Sequence, residues 1–391
     1  MVLFEEALKI VLNCAKVQEK ERVDILSSLH RVLAEDVYSD LDMPPFNKSA
    51  MDGFACKLED LDKALLVIET IPAGKFPELI ISSGTCSRIM TGAPLPDGAD
   101  CVIMVEETEE IAPNQIRFTG TETKKNISTQ GSDIRNGDLV ISQGSLIKPQ
   151  HIAVLATVGK STMDVFKQPK IGIMATGDEL VEPFKIPSKS QIRNCNAWQL
   201  ITQTVQNHAL PKYYGIAKDD FESLEYMINL AISENDVVIL SGGVSAGDFD
   251  FVPSVFEKIN IKILFDSIAI QPGKPSTFGV RDNKAIFGLP GNPVSAFFQF
   301  EFLIRPFILA MMGNNEIIQE LSLELGSNYS RKKSSITSLV PVNIDLHSKV
   351  YPIEYHGSAH INAMTFANGI MIIPVGETFI KQGSTVHVRQ I

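Results

Sequence analysis

Three short apolar runs, each breaking into a glycine-rich polar loop, constrain the fold of this chain more than anything else in it. Ile171-Gly172-Ile173-Met174 leads into Ala175-Thr176-Gly177-Asp178-Glu179-Leu180. Val237-Val238-Ile239-Leu240 leads into Ser241-Gly242-Gly243-Val244-Ser245-Ala246-Gly247-Asp248-Phe249-Asp250. Ala285-Ile286-Phe287 leads into Gly288-Leu289-Pro290-Gly291-Asn292-Pro293. Runs this short, separated by helix-length segments, predict parallel strands with helices on both faces. In such a sheet the loops leaving the carboxyl ends of the strands border one crevice, where ligands bind. Three loops far apart in sequence are therefore expected to converge on one site.

The chemistry of the loops agrees with that expectation. Glycine lets backbone N–H groups approach a ligand and form a concave nest for anions. The third loop opens a helix, with Asn292 able to cap it and Pro293 suited to the first helical position. A helix start presents unpaired N–H groups and partial positive charge, which suits phosphate. Asp178, Glu179, Asp248 and Asp250 stand beside these donors. Carboxylates next to a phosphate nest make sense with a hard divalent cation between them, for which Mg²⁺ is the usual choice. One such loop reads most simply as a tight turn with solvated acids; three at matching strand ends do not.

A chain of 391 residues has room for several domains, and 44% hydrophobic with 21% charged residues is ordinary for a globular protein. The net charge of −11 and the absence of any basic stripe argue against a nucleic-acid partner. Cys14, Cys56, Cys86, Cys101 and Cys195 form no CxxC pair, which fits free thiols in a reducing cytoplasm and no zinc site. The N-terminus carries Glu5, Glu6 and Lys9 within its apolar pattern, so it does not read as a signal peptide. Val294 to Met312 is the most apolar stretch, but Gln299, Glu301, Arg305 and Pro306 interrupt it. It reads as a buried helix, kinked or split at Pro306, and not as a membrane span.

The N-terminal stripe of Leu3, Ala7, Ile10, Val11 and Cys14 predicts a helix, and a second helical segment is expected from Val23 to Ala34. Leu41 to Ala55 mixes prolines, apolar anchors and Asp52-Gly53, which reads as a functional loop. From Leu66 to Val140 short strands and turns predict a small β-rich insertion, with Thr91 at a strand end beside Gly92. A helix is expected over Ile152 to Val158. Asn194 and Asn196 precede a helix, and at least one of them is expected to cap it. Asp219 and Asp220 read equally as first-turn helix acids or as a further contribution to the crevice. Lys274, in a Pro-Gly turn, is well placed to face a phosphate. Residues 320–391 alternate over repeated short strands, as a separate β domain would. His356 and His360 have no metal-ligand spacing.

Five motifs in this order carry a resemblance. They are Ser49-Ala50-Met51-Asp52-Gly53, Ile89-Met90-Thr91-Gly92-Ala93-Pro94, Thr176-Gly177-Asp178-Glu179-Leu180, Ser241-Gly242-Gly243-Val244-Ser245 and Gly288-Leu289-Pro290-Gly291-Asn292-Pro293. With the segment from Leu26 to Val37, they make the chain resemble the molybdopterin molybdenumtransferase family (MoeA, and the E domain of gephyrin) over nearly its whole length. The resemblance implies a multidomain α/β protein. A helical, elongated N-terminal domain would occupy 1–40 and 141–168, a small β-rich domain 41–140, a three-layer molybdopterin-binding α/β domain with a mostly parallel sheet 169–315, and a β-barrel 316–391. It also implies a homodimer whose crevice combines the α/β domain of one subunit with the small β domain of the other. The implied reaction takes adenylylated molybdopterin and molybdate to molybdenum cofactor and AMP, with Mg²⁺ as activating ion. A separate molybdopterin adenylyltransferase would supply the substrate.

On that resemblance Asp52, Thr91, Glu179 and Asp250 are the expected catalytic residues, and Glu179, Asp250 and Asp219 the expected Mg²⁺ ligands. The donors at Ser241, Gly242, Gly243, Ser245, Pro290, Gly291, Asn292 and Pro293, with Lys274 and Asp219, would hold the substrate. Phosphoryl chemistry asks a protein mainly for positioning and charge neutralisation, which fits the lack of a nucleophilic triad. Ser267 and Gln271 stand where the family often has lysine, Asp133 lies in a segment that departs from the family, and Ser358 matches only loosely. Cys195 reads as a small loop residue. A non-catalytic scaffold or chaperone on the same fold and a nucleotide hydrolase of the competence-damage type are the rival readings. The second leaves residues 40–140 and 320–391 without a role.

Overall fold

In the computed structural model, which describes residues 1–243, 252–314 and 318–391, the chain forms two compact units. The first comprises residues 1–34, 144–148 and 162–391, and the second 35–143 and 149–161.

The first unit is built on a six-stranded sheet in the order Leu210–Ala217, Lys170–Thr176, Val237–Ser241, Lys284–Leu289, Pro275–Arg281, Lys262–Ser267. The first four strands are parallel, Pro275–Arg281 runs against them, and Lys262–Ser267 at the edge pairs antiparallel with Pro275–Arg281. The strands alternate between two buried faces, as a doubly covered sheet requires. Ile171, Ile173, Ile239 and Phe287 pack toward the helix Asn196–Gln206 and the long helix from Pro293. Met174, Val238, Leu240 and Ile286 pack toward Phe221–Glu234 and Val252–Lys258.

The long helix runs unbroken from Pro293 to Met311 and is mostly buried. It is not split at Pro306. Instead, Phe300–Ile304 forms a π-turn in which Arg305 N–H bonds Phe300 O. The wider turn accommodates a proline that has no N–H and would crowd the preceding carbonyl. Phe298, Phe300 and Phe302 are fully buried, so this apolar run is core.

The helix Phe4–Asn13 forms as its stripe predicts, but the expected helix from Val23 to Ala34 does not. Lys20–Asp24 is instead a strand paired with Thr162–Phe166, followed by turns. Asp24 Oδ1 accepts from Leu26 N and Ser27 N, and Ser28 Oγ donates to Ile25 O. Such local side-chain bonds to backbone compete directly with helix formation.

Residues 321–390 close a five-stranded barrel. Thr337–Ile344, Lys349–Pro352, Leu321–Leu325, Thr385–Gln390 and Gly369–Ile373 pair in turn, and the last returns to the first. A short strand, Ile270–Gln271, runs parallel to Thr337 and Ser338 and brings the Lys274 turn beside the barrel.

The second unit centres on a sheet ordered Cys101–Met104, Gly53–Cys56, Thr85–Ile89, Ala64–Ile71, Gln115–Phe118, Thr108–Ala112. The helix Pro149–Thr157 also belongs to it. Gly53 lies so close to the neighbouring strand that a Cβ would collide with Ile103 O, which accounts for glycine directly after Asp52.

Candidate active-site crevice

The register of the central sheet explains why the loops meet. Ala175 pairs with Ser241, and Ser241 with Leu289, so the three carboxyl ends stop side by side. The loops leaving them border one cavity of about 1350 Å³. Thr176, Gly177 and Glu179 come from the first loop, Ser241, Gly242 and Gly243 from the second, and Pro290, Gly291, Asn292 and Pro293 from the third. Asp219 enters from the strand Leu210–Ala217, and Lys274 from the turn after Gln271. Ser245, Asp248 and Asp250 lie outside the described residues.

A small number of side chains fix these loops. Asn196 is buried, and its Nδ2 donates to Ser241 Oγ at 2.7 Å and to Gly291 O at 2.8 Å. It thereby ties the second and third loops to the helix Asn196–Gln206. Asn194 takes the capping role instead, its Oδ1 accepting from Ala197 N at 3.2 Å. Sequence spacing gave both asparagines the same reading, and only the sheet order separates a cap from a brace. Gly242 has φ +103, and a Cβ there would strike Thr176 O, so this position needs glycine. Its N–H bonds Leu289 O at 3.0 Å, so it belongs to the frame and is not a ligand donor.

The two aspartates after Ala217 divide their work. Asp220 caps the helix Phe221–Glu234 by accepting from Ser223 N at 2.8 Å. Asp219 faces the crevice, accepting from Thr176 Oγ1 with one oxygen and from Asp178 N at 3.3 Å with the other. The Glu179 carboxylate folds over Gly177. Among the described residues, Asp178, Glu179 and Asp219 make no ion pair, and no three His, Cys, Asp or Glu side chains close on a single point. The oxygen donors at this corner are of the hard type that Mg²⁺ takes, but the described ones alone do not complete a site.

Lys274 is exposed at the rim. Its turn is pinned from below by Gln299 of the long helix, whose Nε2 donates to Gly273 O at 2.5 Å and to Pro275 O at 3.3 Å. Ser276 Oγ donates back to Gln299 Oε1 at 2.8 Å. Asn292 occupies the N-cap position, yet its side chain makes no capping bond there, contrary to expectation. Pro293 sits in the first helical turn as expected, and the next N–H, that of Val294, is taken by Ser358 O at 3.1 Å.

That last bond introduces a wall the motifs did not announce. The barrel contributes Tyr329, Arg331, Lys332 and Lys333 from one segment, and Tyr355, His356 and Ser358 from another. Three basic side chains in succession are a legible signal once the segment is known to face the crevice. Arg331 donates to Glu377 O, Ile336 O and Pro374 O, so all three guanidinium nitrogens are held by backbone. Cys195 also lines the crevice, and all five cysteines are free thiols.

Asp52 and Thr91 lie in the second unit. Asp52 Oδ1 accepts from Thr91 N at 2.6 Å and from Thr91 Oγ1 at 2.7 Å. The backbone bond first, the hydroxyl bond second and the nearby Arg88 charge hold this carboxyl below the usual aspartate range. Ser49 and Gly92 are joined through Gly92 N to Ser49 O at 2.8 Å, which fixes the two loops to each other. The pair is therefore ordered, ionised and exposed.

Comparison with known proteins gives this geometry its context. The family profile of the MoeA N-terminal region (domain I and II) matches residues 2–159, that of a probable molybdopterin binding domain matches 172–310, and that of the MoeA C-terminal region (domain IV) matches 327–391. A molybdopterin molybdenumtransferase of Staphylococcus aureus (strain Mu50) is 32% identical over 394 residues, covering 98% of this chain and 94% of the relative. One from Staphylococcus epidermidis (strain ATCC 35984) is 34% identical over 397 residues with the same coverage. A molybdopterin biosynthesis moeA protein from Pyrococcus horikoshii OT3 superposes with a TM-score of 0.86 at 26% identity, covering 100% of both chains.

Proposed function

The chain belongs to the MoeA family of molybdopterin molybdenumtransferases, and from that membership we propose how its own residues divide the reaction. It is a transferase of molybdenum cofactor biosynthesis that inserts molybdenum into molybdopterin. In the proposed reaction the substrate is the adenylylated pterin, molybdate is the metal donor, and AMP is released as the pyrophosphate bond is cleaved.

The observation that carries this reading is the level ending of three parallel strands at Ala175, Ser241 and Leu289 over one large cavity. A nest at strand ends and at a helix start suits a pyrophosphate. With the Gly242 N–H committed to the frame, the nest falls to Gly243, Gly291 and Asn292. Lys274 on one side, with Lys332 and Lys333 on the barrel side, supplies positive charge for phosphate or molybdate oxygens. Glu179 and Asp219, joined by Asp250, would hold Mg²⁺, which when bound neutralises charge on the phosphates. Thr176 and Asp178 orient Asp219 for that task.

Asp52 and Thr91 of a second copy complete the site in a homodimer, on this proposal. An ionised carboxylate held by two bonds from one threonine is preorganised and needs no rearrangement to orient a water or an oxyanion. A separate adenylyltransferase delivers the substrate, and five free thiols suit a reducing cytoplasm. Purified protein given adenylylated molybdopterin, molybdate and Mg²⁺ should release AMP and form molybdenum cofactor. AMP release that does not depend on molybdate would sink this reading, and release that is indifferent to Mg²⁺ would remove the ion from it.

A further inference from the structure

Gln299 is a buried amide on an apolar helix, between the fully buried Phe298 and Phe300. A polar group taken out of water has to be satisfied by bonds, whereas an apolar side chain would fill the same space without them. The bonds of this amide end on one turn of the crevice rim. Nε2 donates to Gly273 O at 2.5 Å and to Pro275 O at 3.3 Å, and Oε1 accepts from Ser276 Oγ at 2.8 Å. The Lys274 carbonyl between them accepts from Ile268 N at 3.0 Å, so three successive carbonyls of the turn are held. Gly273 has φ +110, and a Cβ there would lie 2.8 Å from Gln299 Nε2, so the turn rests directly on the amide. The Lys274 side chain itself is exposed on the crevice border. The helix that grips this turn also begins at the third crevice loop, and Pro293–Gln299 is regular α-helix. A rise of about 1.5 Å per residue puts Gln299 roughly 9 Å along the axis from Pro293. That start is fixed in turn, since Gln199 Nε2 donates to Pro293 O at 3.2 Å and Asn196 Nδ2 to Gly291 O at 2.8 Å.

We propose that Gln299 is a positioning residue for the transfer reaction. Its three bonds hold the base of Lys274 at a set distance from the loop at 290–292, so that the ammonium meets an oxyanion oxygen seated there. Lysine reaches its ligand on a flexible stem, and a mobile base would spread the ammonium over more positions and weaken the bond it makes. The oxyanion is a phosphate of the adenylylated pterin or molybdate, which share this acceptor chemistry. Gln299 touches no substrate and acts through the turn. The inference rests on the reading of the crevice as the transfer site and of Lys274 as its cation.

Wild-type turnover and Lys274→Met are measured first, so that failure of the underlying reading shows there. Lys274→Met should raise KM for one substrate about tenfold or more, as for losing a bond to a charged group. Without that rise the reading of Lys274 falls, and this inference with it. Gln299→Met keeps the length of the side chain and removes its donor. It should raise the same KM about threefold to tenfold, with kcat within about twofold. The deciding measurement is the double variant. Added to Lys274→Met, Gln299→Met should change that KM by less than about twofold, because residues that act as one unit are not additive. A merely structural amide would shift both KM values alike and in both backgrounds. Factors that multiply in the double variant, or an unchanged KM in Gln299→Met, would overturn the proposal and leave the reading of the crevice standing. Ser276→Ala removes only the bond that orients the amide, and it carries the test if Gln299→Met does not fold. It should raise the same KM about twofold to threefold in the wild-type background and leave it unchanged in Lys274→Met. An equal factor in both backgrounds, or none in either, would overturn the proposal. A rise in KM for the adenylylated pterin assigns the oxyanion to a phosphate, and a rise for molybdate assigns it to that anion.

Discussion

In the crevice, Asn196 is buried and reaches across two loops, whereas Asp52 stands in solvent and, among the described residues, its carboxylate bonds Thr91 alone. The crevice is a surface shaped by a sheet, and its polar groups are braced over long sequence separations. The Asp52 corner is one carboxylate fixed by one threonine on a small β sheet. A braced cavity can bind a large substrate; a single oriented anion cannot, but it can act on one bound elsewhere. The two regions should therefore respond differently to mutation, one in affinity and the other in rate.

The largest expected effect lies at Asp52. If it acts only in the transition state, Asp52→Ala should lower the single-turnover rate of AMP release by about 10²–10³. Substrate affinity and melting temperature should stay near wild type, because the group is exposed and its loops are joined by backbone bonds. A matching loss of affinity would erase the contrast between the regions. Next in size is Asn196→Ala, which leaves Ser241 Oγ and Gly291 O without their donor and should cost about 1–3 kcal/mol of stability. Its affinity for the adenylylated pterin should fall about tenfold by calorimetry, with the rate from saturated enzyme little changed. Unaltered affinity would show that the brace does not shape the crevice.

Thr91→Val should fall between silence and Asp52→Ala. It removes the hydroxyl donor and keeps the backbone N–H, which is the larger cause of the lowered Asp52 carboxyl. Losing one donor moves that carboxyl up toward its ordinary value, so the acid limb of the pH–rate profile should shift to higher pH. The rate at neutral pH should drop by about tenfold, the low end for one positioned group. An acid limb that stays in place would mean the hydroxyl bond does not tune Asp52.

The sheet and its crevice were legible because β-branched runs and glycine loops report backbone geometry directly. The rest depended on which elements become neighbours. Residues 23–34 carry a pattern that admits a helix, yet Asp24 and Ser28 bond the local backbone and turn the chain. Pro306 read as a kink or a split, and the helix is not split there because the neighbouring π-turn, which has no sequence signal of its own, accommodates the proline. Asn194 and Asn196 had the same local reading, and only the neighbouring loops of the sheet give Asn196 its second set of bonds. The barrel wall, with Arg331, Lys332, Lys333 and Tyr355, is the largest feature that was missed. Its contribution rests on Ile270–Gln271 pairing with Thr337–Ser338, a contact with no trace in either segment taken alone. The distinction between Asp219 and Asp220 was visible as a choice, and one capping bond to Ser223 decides it.

The smallest expected effect comes from a second acid on the small β unit. Asp60 is fully shielded and accepts from Lys63 Nζ, from Ser83 Oγ at 3.0 Å and from Gly84 N at 3.0 Å. The Lys63 bond first, then the Gly84 bond, draw its carboxyl down to about 2. The folded value lies below the ordinary 3.8, so this carboxylate stabilises the fold at every pH above about 4. That contribution is lost as pH falls from about 4 to about 2, where the unfolded chain takes up the proton more readily. Asp60→Asn should therefore melt below wild type at neutral pH, with the gap constant down to about pH 5 and shrinking below about pH 4. Its AMP release per folded molecule should match wild type, because none of its partners belongs to the Asp52 corner. Both acids have lowered carboxyls, yet one bears on melting and the other on rate. A rate loss in folded Asp60→Asn would show that a depressed carboxyl on this sheet does not by itself tell the holding acid from the acting one.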